Sequence, residues 1–120
     1  MKIIISENQE LNVKQRIVFF LLDKQKYNLV EINNRRIYFV KNIGDEYAEI
    51  RYDKYNGWCW ISLELFSFLS KFVGFEELEY KESKVKELIG KWVEHTLQME
   101  VKNKSLTSPF IQVTLKMPNN

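Results

Sequence analysis

Apolar residues recur along this chain first with a helical period, then with a strand period, then with a helical one again. The points where the period changes mark out the elements. Val13, Ile17, Phe20 and Leu21 lie at helical spacing, and Phe19 and Leu22 widen the stripe. Asn12 and Gln15 have capping-box spacing, and Lys24 and Lys26 place positive charge at the negative end of a helix predicted at about 12–24. From Tyr27 the period shortens to two. Leu29-Val30-Glu31-Ile32 and Arg36-Ile37-Tyr38-Phe39-Val40 flank a turn at Asn33-Asn34-Arg35, and Asn42-Ile43-Gly44-Asp45-Glu46 makes a second turn. In 47–52, Ala48, Ile50 and Tyr52 alternate with Tyr47, Glu49 and Arg51, which predicts a strand with one wet face. A third turn at 53–57 ends in Asn56-Gly57 and leads into Trp58-Cys59-Trp60-Ile61. The sum is a four-stranded antiparallel meander over about 27–61.

The helical period then returns. Ser62 is placed to cap a helix at about 63–73, whose stripe is Leu65, Phe66, Leu69, Phe72 and Val73, with Gly74 as its stop. An acidic connector at 75–80 precedes a longer helix at about 81–98. Its face is Val85, Leu88, Ile89, Trp92, Val93 and Thr96, and Glu87 and Lys91 form an i,i+4 pair. Residues 102–108 read as a polar loop. Ile111, Val113, Leu115 and Met117 alternate with polar residues and predict a last strand at about 109–117, joining a sheet edge. A short β-branched run, Ile3-Ile4-Ile5, adds a possible first strand. The predicted class is α+β: N-terminal helix, meander, two helices packed on the sheet, C-terminal strand.

Composition narrows the function classes more than it names one. The chain has 120 residues, 45% hydrophobic and 28% charged, which predicts one globular domain with its own core over 1–120. Eighteen Lys and Arg against sixteen Asp and Glu leave a formal charge of +2, too small to advertise a polyanion-binding surface. One cysteine excludes an internal disulfide and a zinc-finger ligand set. The N-terminus lacks a signal-peptide core and no run is long enough to span a bilayer, so a soluble cytoplasmic protein without membrane association is expected.

Candidate chemistry is sparse. A thiol nucleophile would have to be Cys59 with His95 as its base, the only members of their types. Alternation turns Cys59 away from the face shared by Trp58 and Trp60, and His95 sits at the rim of a packing stripe, so a packed thiol is the simpler reading. The carboxylates cluster on surface segments (Asp45-Glu46, then Glu76, Glu77, Glu79 and Glu82) rather than as two groups in contrasting buried environments. They also lack the spacing of a calcium loop. Isolated glycines build no phosphate cradle. A helix-turn-helix alignment over 66–83 would aim Glu76, Glu77 and Glu82 at DNA, and carboxylates there repel phosphate. No catalytic residue, metal ligand or cofactor is therefore predicted.

Two binding readings remain. Trp58, Trp60, Tyr47, Arg51, Tyr55 and Arg36 combine aromatic and guanidinium groups on or beside the sheet, and these types dominate protein interface hot spots. The same six residues would suit stacking and backbone neutralisation of single-stranded nucleic acid. Against the second stands the expectation that the tryptophans fill the space between sheet and helices. The preferred expectation is a non-enzymatic module that binds a protein or a second copy of itself, as an inhibitor, immunity-type protein or subunit. Single-strand nucleic-acid binding is the alternative and an enzyme with an unrecognised site the third.

Overall fold

The computed structural model describes residues 7–73, 78–107 and 110–113, with side chains given for 13–72, 82–107 and 110–113. The chain is α+β. Helix α1 (Glu7–Lys24) is followed by strands β1 (Asn28–Ile32), β2 (Arg36–Val40), β3 (Tyr47–Ala48), β4 (Ile50–Asp53) and β5 (Trp58–Ser62). Helices α2 (Leu63–Val73) and α3 (Leu78–Leu97) come next, then β6 (Asn103–Thr107) and β7 (Ile111–Gln112). Five strands form one mixed sheet in the order β1-β2-β4-β5-β6, while β3 and β7 pair as a small second sheet.

The local reasons for these elements are visible in the turns and caps. Asn33 and Asn34 both have φ 55°, the left-handed pair that a tight hairpin demands and asparagine tolerates, and the Arg35 N–H closes it onto the Ile32 carbonyl at 3.1 Å. Ser62 ends β5 and caps α2 at once: its Oγ accepts the Leu65 N–H at 3.2 Å. Gly57 has φ 69° and lies under the chain leading to β6, its carbonyl accepting the Lys102 N–H at 2.8 Å. A Cβ there would stand 3.0 Å from the Lys102 side chain, so the turn needs glycine for both conformation and space.

All three helices cover one face of the five-stranded sheet. Val18 and Leu22 of α1, Leu65 and Leu69 of α2, and Val85, Leu88, Ile89, Trp92 and Val93 of α3 pack on Ile37, Phe39, Ile50, Tyr52, Cys59 and Ile61. Burying each large aliphatic side chain contributes about 1.5–3 kcal/mol, so this interface is the main source of stability. Trp92 adds a polar tie, its indole N–H donating to Asp23 Oδ1 at 2.8 Å.

Several expectations are corrected. α1 starts five residues before Asn12, which therefore lies inside the helix and not at its cap. Its packing face is Val18 and Leu22, while Val13 and Phe20 are exposed, because the helix is rotated to meet α3 and α2. Phe72 and Thr96 also face solvent. α3 begins at Leu78, within the expected connector. Asn103–Thr107 of the expected 102–108 loop is strand β6, which runs parallel to β5 after the α2–α3 crossover, so the sheet is not purely antiparallel. With Leu106 its only core-facing apolar residue, β6 has no hydrophobic pattern to betray it; pairing with β5 makes it a strand. The last strand is two residues long and pairs with β3 away from the main sheet's edges. The run Ile3-Ile4-Ile5, the Gly74 stop and the 114–117 part of the last strand lie outside the described residues.

Candidate functional site

The expected 47–52 strand is broken at Glu49, and that break decides what the other face of the sheet carries. The Glu49 N–H donates to the Phe39 carbonyl at 3.0 Å, yet Phe39 is the register partner of Ile50. Two residues thus oppose one, which is the hydrogen-bonding of a β-bulge. Glu49 accordingly points with Ile50 to the helix side, where it accepts a hydrogen bond from the Tyr27 hydroxyl and lies 3.9 Å from Lys41 Nζ. Ala48 turns to the helix-free side and joins a second apolar cluster with Ile32, Tyr38, Val40 and Ile111.

Beyond the bulge the register lays out two rows across the helix-free face. One runs Ile32, Arg36, Asp53, Trp58, Asn103; the other runs Val30, Tyr38, Arg51, Trp60, Ser105. Trp58 and Trp60 stack with ring centroids 5.4 Å apart and planes 17° from parallel. The Arg51 guanidinium lies 5.3 Å from the Trp60 centroid, a cation–π contact. Asp53 is the hub: its carboxylate accepts the Trp60 indole N–H at 3.2 Å, lies 3.4 Å from an Arg51 terminal nitrogen, and stands 3.5 Å from Arg36 Nε. Ser105 Oγ accepts the Trp58 indole N–H at 3.1 Å. At the row's edge Arg35 lies over the exposed Tyr55 ring at 5.4 Å, and Arg35, Arg36, Asp53, Tyr55 and Asn56 line a hollow of about 150 Å³.

Three buried side-chain polar atoms among the described residues make no hydrogen bond: Tyr38 Oη, Arg51 Nε and Asp53 Oδ1, the last of which has the Arg36 Nε ion pair instead. All three belong to neighbouring positions on this one face. Leaving such an atom unsatisfied costs about 1–3 kcal/mol, and native structures keep few of them. The helix side shows no comparable concentration.

Of the six expected site residues, Trp58, Trp60, Arg51 and Arg36 share this face in contact or one residue apart, and Tyr55 borders it through Arg35. Tyr47 does not join them. The bulge moves it onto the small sheet, where its ring packs on Phe110 at 5.5 Å. Trp58 and Trp60 do not fill the space between sheet and helices; Cys59 occupies that side instead. Sequence reasoning missed Asp53, treated as a turn residue, although it follows Arg51 by two and so falls on the same side. Tyr38 and Ser105 were also missed, the latter because its strand was.

Cys59 is fully buried, and desolvation pushes its thiol up to about 12; Lys104 opposes that shift and Asp53 reinforces it. His95 is exposed on α3, its ring 6.0 Å from Phe19. Tyr27 is raised by burial first and by the Glu49 carboxylate second. Among the described residues no group of His, Cys, Asp and Glu is arranged to hold a metal ion, and no helix is long and apolar enough to cross a membrane. Compared with family models, curated proteins and solved structures, the chain matches none.

Proposed function

We propose that this protein is a binding module whose helix-free sheet face, centred on Trp58, Trp60, Arg51 and Asp53, docks a protein partner. The observation that carries this reading is a stacked, half-buried tryptophan pair beside the Arg36–Asp53–Arg51 cluster on one sheet face. Half-buried aromatic and guanidinium groups supply large contact area at small entropic cost, and such residues dominate interface hot spots. A protein suits this face better than a polyanion. Asp53 already occupies Arg36 and Arg51, so the pair presents a mixed rather than a cationic field. Single-stranded nucleic acid is the second reading, favoured by Trp58 and Trp60 lying outside the helix-side core.

A photo-crosslinking residue at Asn103, exposed beside Trp58, tests the assignment in the source cells. Crosslinks to a protein from position 103, absent from the exposed Leu29 on the edge strand and reduced about tenfold by Trp58→Ala or Arg51→Ala, are the expected result. A labelled oligothymidylate of about fifteen nucleotides that binds at low salt and releases steeply as salt rises would replace the protein reading with the nucleic-acid one.

A further inference from the structure

A second surface lies on the helix layer. Val13, Ile17 and Phe20 of α1 and Phe72 of α2 line a groove of about 580 Å³, and among the described residues the charged ones lining it are Arg16 and Lys24. Its apolar residues are open to water: Phe20 is 63% exposed, Phe72 56% and Val13 51%. Large apolar side chains exposed singly are ordinary, but here they converge on one concave strip. They keep the helical spacing i, i+4, i+7, which is why the sequence read them as a core stripe. The protein's own core uses the neighbouring Val18–Leu22 face of α1 instead.

We infer that this groove docks an amphipathic helix of a partner protein, with apolar anchors flanked by carboxylates. The strip from Val13 to Lys24 spans eleven residue steps, about 16 Å of helix, which matches three turns of an incoming helix with anchors at i, i+4 and i+7. Charge selects the flanks: Arg16 and Lys24 border the apolar floor with no described carboxylate among the lining residues, so acidic positions beside the anchors are attracted and basic ones repelled. The same cations disfavour a second copy of this chain, since a two-fold pairing about the centre of the strip would set Arg16 of each copy against Lys24 of the other. The same cations would also attract an anionic bilayer, and the vesicle arm of the test separates that occupant from a helix.

The test is a displayed library of fourteen-residue helices with leucine fixed at the anchor positions and the flanking positions randomised, about the length of the groove. Selection on the full-length protein should enrich Asp and Glu at the flanks. The best selected peptide should bind at least fivefold more weakly to Phe20→Ala and to Phe72→Ala, both solvent-exposed sites that leave the fold intact by circular dichroism. Selection on Arg16→Glu/Lys24→Glu should instead enrich Lys and Arg. No enrichment, enrichment without charge preference, or a selected peptide indifferent to Phe20→Ala overturns the inference. So does Phe20-dependent dimerisation or Phe20-dependent binding to phosphatidylglycerol vesicles in the absence of peptide enrichment. The readout is peptide at the groove alone, so its failure leaves the crosslinking result from position 103 standing, and the reverse.

Discussion

Asp53 joins three residues of the sheet face, contacting Arg36, Arg51 and the Trp60 indole together. Removing it leaves two half-buried guanidinium groups without their shared anion and an indole N–H without its acceptor. Asp53→Ala is expected to cost on the order of 1–2 kcal/mol in urea unfolding, with a changed tryptophan emission spectrum. A loss below a few tenths would mean the hub is solvated rather than structural. Cys59 gives a second residue-scale test. With its thiol raised to about 12 by burial, the thiolate fraction at pH 8 falls roughly a thousandfold below that of a free cysteine. Ellman's reagent should therefore react with the native protein at least a hundredfold more slowly than with the protein in guanidinium; prompt reaction of the folded protein would place the thiol at an accessible site.

At the scale of elements, two short connections carry much of the geometry. Ser62 both ends β5 and caps α2, so Ser62→Ala should cost about 1 kcal/mol while leaving binding at the sheet face unchanged. Gly57 sets the hairpin that presents Trp58, and its close approach to Lys102 also positions the start of β6. Gly57→Ala should destabilise by about 1–2 kcal/mol, through the positive φ and the 3.0 Å contact together; a neutral substitution would mean that the turn has an alternative conformation. Elements with strong local signals were legible: the Asn33-Asn34 hairpin, the Ser62 cap and the period-two strands. The Glu49 bulge was not. Nothing in Tyr47-Ala48-Glu49-Ile50 marks an extra residue, and one extra residue inverts every side chain before it. That is why Tyr47 was assigned to a face it does not occupy, while Arg51, beyond the bulge, was placed correctly.

For the molecule as a whole, three acidic groups among the described residues hold their protons more tightly when folded. Tyr27 is raised by burial and by Glu49, Tyr52 by burial and then by its neighbours Cys59, Glu100 and Glu94, and Cys59 chiefly by burial. A raised folded pKa stabilises fully below the unfolded value and loses that contribution as pH climbs toward the folded one. The unfolded chain releases these protons first, from about pH 9 for the thiol and about pH 10 for the tyrosines. Stability should therefore be insensitive to these groups between pH 7 and 8.5 and fall above pH 9, by on the order of 4 kcal/mol at pH 11. Tyr27→Phe should flatten the decline above pH 10. An unchanged urea midpoint through pH 11 would contradict the burial of all three.

The order of most elements, the α+β class and the aromatic and guanidinium membership of the sheet face follow from residues close together in the chain, because periodicity, turns and caps are local. Which face of Trp58-Cys59-Trp60 the helices cover is not local. Alternation separates the thiol from the indoles but is symmetric between inside and outside, and only the docking of α1, α2 and α3 breaks that symmetry. Tertiary pairing likewise made a strand of Asn103–Thr107, rotated α1 onto Val18 and Leu22, and left Val13 and Phe20 open on the far side. Both proposed surfaces owe their existence to that packing. The sequence supplied more apolar stripe than one core could use, and the assembled layers decided which part stayed in water.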